Sequence, residues 1–443
     1  MISLPKGVRF ILSRLREKGY EAYIVGGSVR DSLLMKTPSD YDVTTSALPD
    51  AVKEIFHDCK TVDTGILHGT VTVLSDGKPF EVTTYRVDGD YSDLRHPRSV
   101  SFTRSLREDA ARRDFTVNAM AYSDEDGVID FFGGREDLKN RLIRAVGDPD
   151  TRFHEDALRI LRALRFAATL DFTVEEKTAA AVKRNKALLS RISAERVREE
   201  LCRLVRGKAA YRILSEFREV IGEVIPELTL QFDFCQHTPH HIYDLYEHTI
   251  HTVDAAENTA VIRMAALLHD IGKPSCFFRD ENGVGHFYGH EEVSASLADK
   301  RLRALRFDNK TRERIVLLIR KHGVMLPTTE RSQKRLLSSL GEEAFFELLS
   351  LKRADNAALA PMHADRLKEI DALEASAREI LSRKPCLTLS ALSVGGDDLI
   401  ALGVPRGRRI GELLSAALSA VIDGRVENER EALIALVKKM NDE

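Results

Sequence analysis

The 443-residue sequence has no tryptophan, few cysteines and no long apolar run. The five cysteines are odd in number and none forms a C-x-x-C pair, so we expect reduced thiols in a cytoplasmic protein. No apolar run approaches the roughly 18 residues that a membrane-spanning helix needs. We also expect no signal peptide, because Lys6 and Arg9 interrupt the first apolar stretch. These absences argue against a membrane protein and against a disulfide-rich secreted protein.

An excess of one charge sign is also lacking. Lysine and arginine number 66 and aspartate and glutamate 69, which gives a net charge of -3. This balance does not exclude nucleic-acid binding, because a polyanion is recognised by a local basic patch. Local basic density is high at 135–144, 300–321 and 406–409, although each stretch is also compatible with an ordinary solvated surface.

Hydrophobic patterning divides the chain into a mixed first part and a helical remainder. Short apolar runs at 20–25, 42–45, 70–74 and 80–85 predict strands, and the pattern over 11–18 predicts a helix. Beyond about residue 150 the pattern is helical to the C-terminus. The predicted fold class is an α/β head with a mixed sheet and helices, followed by mostly all-α domains. We place the domains at 1–150, 151–230, 231–380 and 381–443.

A glycine pair lies where the first predicted strand meets a helix. Gly26 and Gly27 end the strand, and Arg30 comes about one helical turn later. Glycines let the backbone approach a phosphate closely, and a helix N-terminus offers free N–H groups. Arg30 can add a charged fork to a triphosphate. Such a turn is also common as a purely structural feature, so this motif alone does not decide the function.

Two aspartates enter the second predicted strand. Asp40 and Asp42 are two residues apart, so on a strand both carboxylates point the same way. Hard cations such as Mg²⁺ prefer oxygen ligands and keep substrate phosphates in their shell. Two such ions can activate a hydroxyl and stabilise a leaving pyrophosphate. Glu81, on a neighbouring predicted strand, is our candidate for a third carboxylate, although an exposed structural role fits it equally well.

A third motif, at residues 111–121, has a basic start followed by polar side chains among apolar ones. We predict that Arg113 contacts a triphosphate and that Asp114 and Asn118 contact a ribose or anchor a loop. The alternative for Asp114 is a structural role as the cap of a helix.

A fourth motif is predicted to form one helix over 155–166. Helical spacing puts Asp156, Arg159 and Arg162 within an arc of about 120°. An aspartate can accept from the amino group of a base, and an arginine can donate to a ring nitrogen or carbonyl. Arg165 lies at the edge of the apolar side, where a structural role is also open. The structural alternative for this polar helix face is a set of salt bridges within the helix.

In this order and spacing, the four motifs resemble those of class II nucleotidyltransferases, the CCA-adding tRNA nucleotidyltransferases and bacterial poly(A) polymerases. The resemblance is close over 23–172. It implies that the paired aspartates bind Mg²⁺ and that the glycine turn with its arginine holds the triphosphate. It also implies that Glu155, Asp156 and Arg159 pair with C and A in place of a template. One departure is Met35, where the family usually has glycine.

The polar segment 87–106, predicted to be a loop, bears on the choice within that family. Tyr91, the run 95–97 and the run 100–102 resemble the flexible loop of enzymes that add A as well as C. No G-R-R-F-like signature of poly(A) polymerases follows the neck. We therefore predict addition of C, C and A to the tRNA 3′ end from CTP and ATP. An A-adding enzyme and a poly(A) polymerase are the alternatives.

A cluster of histidines and aspartates in the helical part has metal-ligand spacing. Its members are His248, His269, Asp270, His290, His322 and Asp355. Imidazole and carboxylate together suit a transition metal, namely Mn, Fe, Co, Ni or Zn. The run 269–272 resembles the H-D-I-G motif of the HD phosphohydrolases, which implies metal-assisted hydrolysis of a phosphoester. A cyclic phosphate or 3′-phosphate on a tRNA end is the substrate we infer, and a structural metal is the alternative.

The C-terminal region 394–422 resembles the tail with which CCA-adding enzymes hold tRNA, and 409–422 is predicted to be an amphipathic helix. The expected partners are the tRNA 3′ end and acceptor arm, ATP and CTP, with no membrane and no obligate protein partner.

Two interpretations from other functional classes stay open. One is a hydrolase that uses the head only to dock RNA, and the other is a non-catalytic RNA-binding protein.

Overall fold

A computed structural model describes residues 2–89, 99–238, 242–360 and 364–442. The chain forms two compact units, Met1–Pro226 and Glu227–Glu443. The first unit contains a mixed sheet and helices, and the second is almost entirely helical. Within the described ranges, no helix is both long and apolar enough to cross a membrane.

A seven-stranded mixed sheet forms the centre of the first unit. The strands of this unit are β1 (Ala22–Val25), β2 (Asp42–Thr45), β3 (Thr61–Gly65), β4 (Thr70–Ser75), β5 (Lys78–Thr84), β6 (Arg86–Asp88), β7 (Val100–Phe102), β8 (Ala121–Ser123), β9 (Gly127–Ile129), β10 (Leu142–Ile143) and β11 (Thr173–Val174). The sheet order is β3-β4-β5-β2-β1-β8-β9. Strand β2 is antiparallel to β1 and parallel to β5, so the polar residues at the start of β2 lie beside the middle of β5.

Helices cover this sheet and continue beyond it. They are α1 (Lys6–Glu17), α2 (Gly27–Leu33), α3 (Pro49–Ile55), α4 (Leu106–Ala111), α5 (Gly134–Lys139), α6 (Pro149–Glu155), α7 (Leu158–Leu170), α8 (Glu176–Arg184), α9 (Ala194–Val205), α10 (Ala210–Glu216) and α11 (Arg218–Val224). Helix α1 buries Val8, Ile11, Leu12 and Leu15, the spacing of one apolar helix face. All four residues of β1 are buried, as expected for a strand covered on both faces.

The second unit consists of helices and one short hairpin. Its elements are α12 (Leu245–Ala255), α13 (Ala260–Leu268), α14 (Lys273–Cys276), β12 (Phe278–Arg279), β13 (Gly285–His286), α15 (His290–Ala304), α16 (Asn309–Lys321), α17 (Glu330–Leu340), α18 (Glu342–Ala357), α19 (Ala364–Ser382), α20 (Gly396–Ala401), α21 (Arg408–Ile422) and α22 (Arg430–Asp442). A separate apolar core around Leu399, Leu413 and Leu433 holds the last three helices together.

The predicted fold class is confirmed, and two local expectations are corrected. The segment 87–106 is not a loop throughout, because β6 and β7 pair within it; residues 90–98, including Tyr91 and 95–97, lie outside the described residues. The helix expected over 155–166 is interrupted, since α6 ends before Asp156 and that residue has extended angles of φ -137° and ψ 101°. Met35 has a left-handed φ of 57°, which explains why glycine is favoured there.

Candidate active site and metal centre

Three carboxylates line one cavity beside the central strands. Asp42 is the first residue of β2, Asp40 lies two residues earlier, and Glu81 is on β5. Val43 pairs with Val82 in the parallel register, so Asp42 and Glu81 are the preceding neighbours and their side chains share a face of the sheet. All three carboxylates line the same cavity of about 630 Å³. The structure therefore brings together the three carboxylates that were predicted from the sequence.

The electrostatics of this cavity fit a bound cation. Removal from water raises the pKa of Asp42 above its ordinary value, the charges of Asp40 and Glu81 raise it further, and Arg113 opposes them. Like charges that destabilise one another in this way are stabilised when a divalent cation lies between them. A donor set made only of carboxylate oxygens suits a hard cation.

Two arginines pack over the glycine turn between β1 and α2. Gly26 has a φ of 75°, and a Cβ added there would lie 3.2 Å from Nη1 of Arg113. A Cβ on Gly27 would lie 3.5 Å from Nη2 of Arg30. Nη1 of Arg30 donates to Oδ1 of Asn118 at 2.7 Å, which fixes the guanidinium beside the turn. The turn thus combines free helix N–H groups with two cations, as a triphosphate requires.

A buried carboxylate behind the turn was missed by sequence reasoning. Asp109 is fully buried and accepts a hydrogen bond from Nε of Arg112 at 2.9 Å. It also pairs with Arg113 at 3.6 Å and accepts from the hydroxyl of Thr44, on β2, at 3.2 Å. Asp109 therefore links the strand that carries Asp42 to the arginine over Gly26. In the sequence, Asp109 precedes Arg112 by three residues and Arg113 by four, and this helical spacing indicates a carboxylate paired with both arginines.

Asp114 joins the glycine turn to helix α7. Its carboxylate accepts from Nε of Arg162 at 2.9 Å and from Nδ2 of Asn118 at 3.1 Å. Burial alone would raise the pKa of Asp114, but the charge and hydrogen bonds of Arg162 outweigh burial and lower it to about 2. The carboxylate is thus ionised and engaged by the protein, which favours the anchoring role over contact with a ribose.

The Asp114 ion pair predicts a pH-dependent contribution to stability. Because the pKa is lowered to about 2 from an ordinary value of 3.8, the stabilisation is fully present above about pH 4 and is lost as the pH falls towards 2. We expect Asp114→Asn to lower the free energy of unfolding by about 2 kcal/mol at pH 7 and by much less at pH 3. Urea unfolding of both proteins at each pH measures this, and an equal loss at both pH values would contradict it.

The base-selecting candidates lie at the junction of α6 and α7. Oδ1 of Asp156 accepts from the backbone N–H of Leu158 at 3.1 Å, and Oδ2 accepts from Arg196 at 2.8 Å. Nη1 of Arg159 donates to Glu155 at 2.6 Å. Asp156 therefore precedes α7 instead of lying on its face, but it remains within one turn of Arg159.

Arg165 has a structural environment. Its Nε donates to Glu200 of α9 at 2.8 Å, and its guanidinium carbon lies 3.6 Å from the ring centroid of Phe166. Arg30 and Arg162 approach the same ring at 5.1 and 5.4 Å. These contacts tie α7 to α2 and α9, so the side chain of Arg165 already has a packing role.

The second unit contains a cluster of four histidines and two aspartates. Two trios have ligand atoms within 4.8 Å of one another, and both contain Asp270. The first trio adds His248 and His269, and the second adds His290 and His322. Asp355 extends the first trio, because its Oδ1 lies 3.1 Å from Nε2 of His248. We call this set the His-Asp cluster. It comprises His248, His269, Asp270, His290, His322 and Asp355, the six ligands predicted from the sequence.

The hydrogen bonds around the His-Asp cluster orient its imidazoles towards a common centre. Nδ1 of each histidine faces a backbone carbonyl, that of Ala358 for His248, Ala266 for His269, Phe287 for His290 and Ile319 for His322. A carbonyl only accepts, so Nδ1 carries a proton, and in the neutral ring that a metal requires Nε2 presents a lone pair. The two Nε2 atoms of His290 and His322 are 3.2 Å apart. Two facing lone pairs repel, so this approach requires either a proton between the two nitrogens or a cation bound to both.

Asp270 is the central anion of the His-Asp cluster. Among the described residues, neither of its buried carboxylate oxygens has a hydrogen-bond partner of good geometry, although Nζ of Lys273 forms an ion pair with Oδ2 at 2.7 Å. Burial would raise the pKa of Asp270, but the charges of His269 and Lys273 hold it well below the usual range. A buried anion among imidazole lone pairs fits a shared ligand of two transition-metal ions.

Three more histidines lie in 237–241, upstream of the His-Asp cluster, and among the described residues none of them belongs to it. His237 is exposed and contacts Arg279. His240 and His241 lie outside the described residues.

Three family models match successive parts of the chain. The Poly A polymerase head domain matches residues 22–144. The model described as a probable RNA and SrmB-binding site of polymerase A matches residues 171–229. A model of tRNA nucleotidyltransferase domain 2 matches residues 290–437.

Curated relatives and solved structures match the chain over almost its whole length. The CCA-adding enzyme of Levilactobacillus brevis is 36% identical over 97% of this chain and 96% of its own. That of Enterococcus faecalis is 35% identical over 97% of this chain and 94% of its own. The crystal structure of the Bacillus stearothermophilus CCA-adding enzyme in complex with CTP has 32% identity and a TM-score of 0.72, covering 99% of this chain and 97% of that chain.

Proposed function

Because the chain belongs to the CCA-adding enzymes, the tRNA nucleotidyltransferases that add C, C and A without a template, we propose that Asp40 and Asp42 hold Mg²⁺ for this reaction. Divalent-metal use goes with the nucleotidyltransferase head. The observation that carries the assignment is the cavity shared by Asp40, Asp42 and Glu81. It lies on the sheet whose β1–α2 turn carries the two arginines over its glycines. Glu81 is the third carboxylate of the proposed site.

The proposed reaction joins the tRNA 3′ oxygen to the α-phosphorus of CTP or ATP. The bond from that phosphorus to pyrophosphate breaks, and the hydroxyl proton passes to water or to a carboxylate of the site. Arg30, Arg113 and the backbone N–H groups after Gly26 hold the triphosphate and neutralise charge on the leaving pyrophosphate. Divalent cations bound by the carboxylates would supply activation of the attacking hydroxyl. Asp109 and Asn118 position the two arginines.

Base selection is proposed for the residues at the α6–α7 junction. Cytosine at C4 and adenine at C6 carry an amino group, from which Asp156 can accept a hydrogen bond, whereas uracil at C4 and guanine at C6 carry a carbonyl. Arg159 donates to the neighbouring ring nitrogen, and Glu155 orients it through the ion pair at 2.6 Å. Arg162 acts indirectly by holding Asp114.

The Asp156→Ala variant tests base selection. We expect the preference for CTP over UTP, measured as a ratio of kcat/KM on tRNA that lacks its CCA end, to fall at least about tenfold. The reason is that a lost acceptor no longer distinguishes an amino group from a carbonyl. Asp171→Ala is the matched control, because Asp171 is an exposed aspartate at the other end of α7. An unchanged ratio in Asp156→Ala would remove this residue from the selection mechanism.

A second candidate function is favoured by the geometry of the His-Asp cluster. The Nε2 atoms of four imidazoles surround Asp270, which suits transition-metal ions, and such ions would supply activation of water for phosphoester hydrolysis. The proposed substrate is a cyclic phosphate or 3′-phosphate that blocks a tRNA 3′ end. Metal analysis with a phosphodiesterase assay on His269→Ala tests this second function.

The remaining proposals concern the rest of the chain. Residues 151–230 are proposed to form a base-selecting and RNA-binding neck, 231–380 the metal-binding domain, and 381–443 a tail that contacts tRNA. A cytoplasmic location is proposed because all five cysteines are free thiols.

A further inference from the structure

Three aromatic rings form a compact cluster on the hairpin of the second unit, in which the ring centroids of Phe278 and Tyr288 are 5.7 Å apart. Phe278 of β12 and His286 of β13 are cross-strand neighbours, with ring centroids 5.2 Å apart and an interplanar angle of 27°. His286 and Tyr288 follow at 5.4 Å and 21°. Nε2 of His286 lies 2.9 Å from Oδ2 of Asp280, which fixes the imidazole ring. We call Phe278, His286 and Tyr288 the aromatic ladder.

Two rings of the aromatic ladder are open to water. Phe278 is 46% exposed and Tyr288 is 75% exposed. Cross-strand stacking explains why Phe278 covers His286. It does not explain the exposed ring of Tyr288, which lies beyond the end of β13 and contributes little to the core. An exposed, pre-stacked set of ring faces is suited to receive another flat ring.

The aromatic ladder is next to the His-Asp cluster along the chain. Tyr288 precedes His290, a member of the cluster, by two residues, and two residues span at most about 7 Å. Arg279 follows Phe278 on β12, so its side chain points to the other face of the hairpin, where it contacts His237 and lies 5.8 Å from the ring centroid of Phe277. Exposed aromatic rings are the usual surfaces on which unpaired bases stack without sequence preference.

We propose that the aromatic ladder stacks an unpaired base of an RNA end and thereby presents the adjacent phosphate to the His-Asp cluster. This inference rests on the proposed phosphohydrolase function and names its substrate class, a phosphoester on single-stranded RNA instead of a free phosphate ester. In the hydrolysis of this phosphoester, a water oxygen forms a bond to phosphorus, the ester P–O bond breaks, and the water proton passes to the departing oxygen.

A tryptophan at Tyr288 gives a direct test, because the natural chain contains no tryptophan. We expect the fluorescence of Tyr288→Trp to be quenched in a saturable manner by a six-nucleotide oligoadenylate. An abasic ribose-phosphate oligomer of the same length is expected to cause little quenching, since it has no base to stack. Phe10→Trp, at a 42% exposed aromatic position of the first unit, is the control and should respond to neither oligomer. Equal quenching by both oligomers, or no quenching, would overturn the proposal.

A kinetic test separates base stacking from the hydrolytic function itself. In Phe278→Ala/Tyr288→Ala we expect KM for a 3′-phosphorylated hexanucleotide to rise about tenfold or more, since stacking contributes substantially for each base. The rate of glycerol 2-phosphate hydrolysis and the amount of bound metal should both stay unchanged. An equal loss with both substrates would contradict base stacking. If the unaltered protein binds the oligomer but hydrolyses neither substrate, the phosphohydrolase function fails while the stacking surface stands.

Discussion

Replacing Asp42 by asparagine is expected to lower kcat/KM for CTP and ATP addition by at least about 1,000-fold. The side chain keeps its size, but it loses the charge needed to hold a divalent cation between itself, Asp40 and Glu81. Burial raises the pKa of Asp42 and the charges of Asp40 and Glu81 raise it further, so the ionised carboxylate is unfavourable for folding. We therefore expect the Tm of this variant to be unchanged or raised, in the absence of added metal. Primer-extension kinetics and thermal unfolding measure the two effects.

The control for Asp42→Asn is Asp63→Asn on the same sheet. Asp63 is exposed and pairs with Lys53 at 2.8 Å, so its replacement removes the same charge away from the cavity. Activity within about twofold of the unaltered protein is expected, as for most surface substitutions. If Asp42→Asn retained activity, the carboxylates of this cavity could not be the metal ligands. A loss of activity that is caused by unfolding would appear as a lowered Tm of Asp42→Asn relative to Asp63→Asn.

The second large effect is expected at the His-Asp cluster. His269→Ala should reduce the bound transition metal from about two ions to less than one per chain, because it removes an imidazole from the first trio and leaves Asp270 poorly neutralised. Phosphodiesterase activity should fall by at least about 100-fold. CTP and ATP addition should be unchanged, because the proposed carboxylate site belongs to the other compact unit. Elemental analysis after metal loading and two separate activity assays measure these outcomes.

Two further variants make the result at the His-Asp cluster decisive. Asp270→Asn keeps the shape of the side chain but removes the charge that both trios share, so it should lose metal even more completely. His57→Ala removes an exposed histidine of the first unit and should change neither metal content nor activity. Unchanged metal in both His269→Ala and Asp270→Asn would eliminate the proposed metal centre. Loss of metal without loss of any hydrolytic activity would leave a structural metal as the remaining interpretation.

Short-range patterns predicted the parts of the site that depend on neighbouring residues. The i, i+2 spacing of Asp40 and Asp42 and the strand that carries Glu81 could be read from alternation alone. Strand β2 begins and ends where the sequence pattern placed it. The six members of the His-Asp cluster were also recognisable, because a His-Asp pair followed by spaced histidines and an aspartate has few structural explanations.

Features that depend on distant contacts were not predictable in this way. Nothing in the local sequence shows that Asp109 accepts from Thr44, 65 residues away. Likewise, helical periodicity does not reveal that the chain breaks at Asp156, whose carboxylate is held by Arg196 of α9. The aromatic ladder was also missed, since Phe278 and His286 become neighbours only when the hairpin forms.

The central claim is that the protein adds C, C and A to tRNA and selects these nucleotides with its own side chains, without a template. Its most direct measurement is single-nucleotide extension of tRNA that lacks the CCA end, with CTP, ATP, UTP or GTP supplied separately and CTP supplied together with ATP. We expect two nucleotides to be added with CTP alone, three with CTP and ATP, and none with UTP or GTP. Failure to use CTP, together with extension by ATP alone, would contradict this account and indicate an A-adding enzyme or poly(A) polymerase.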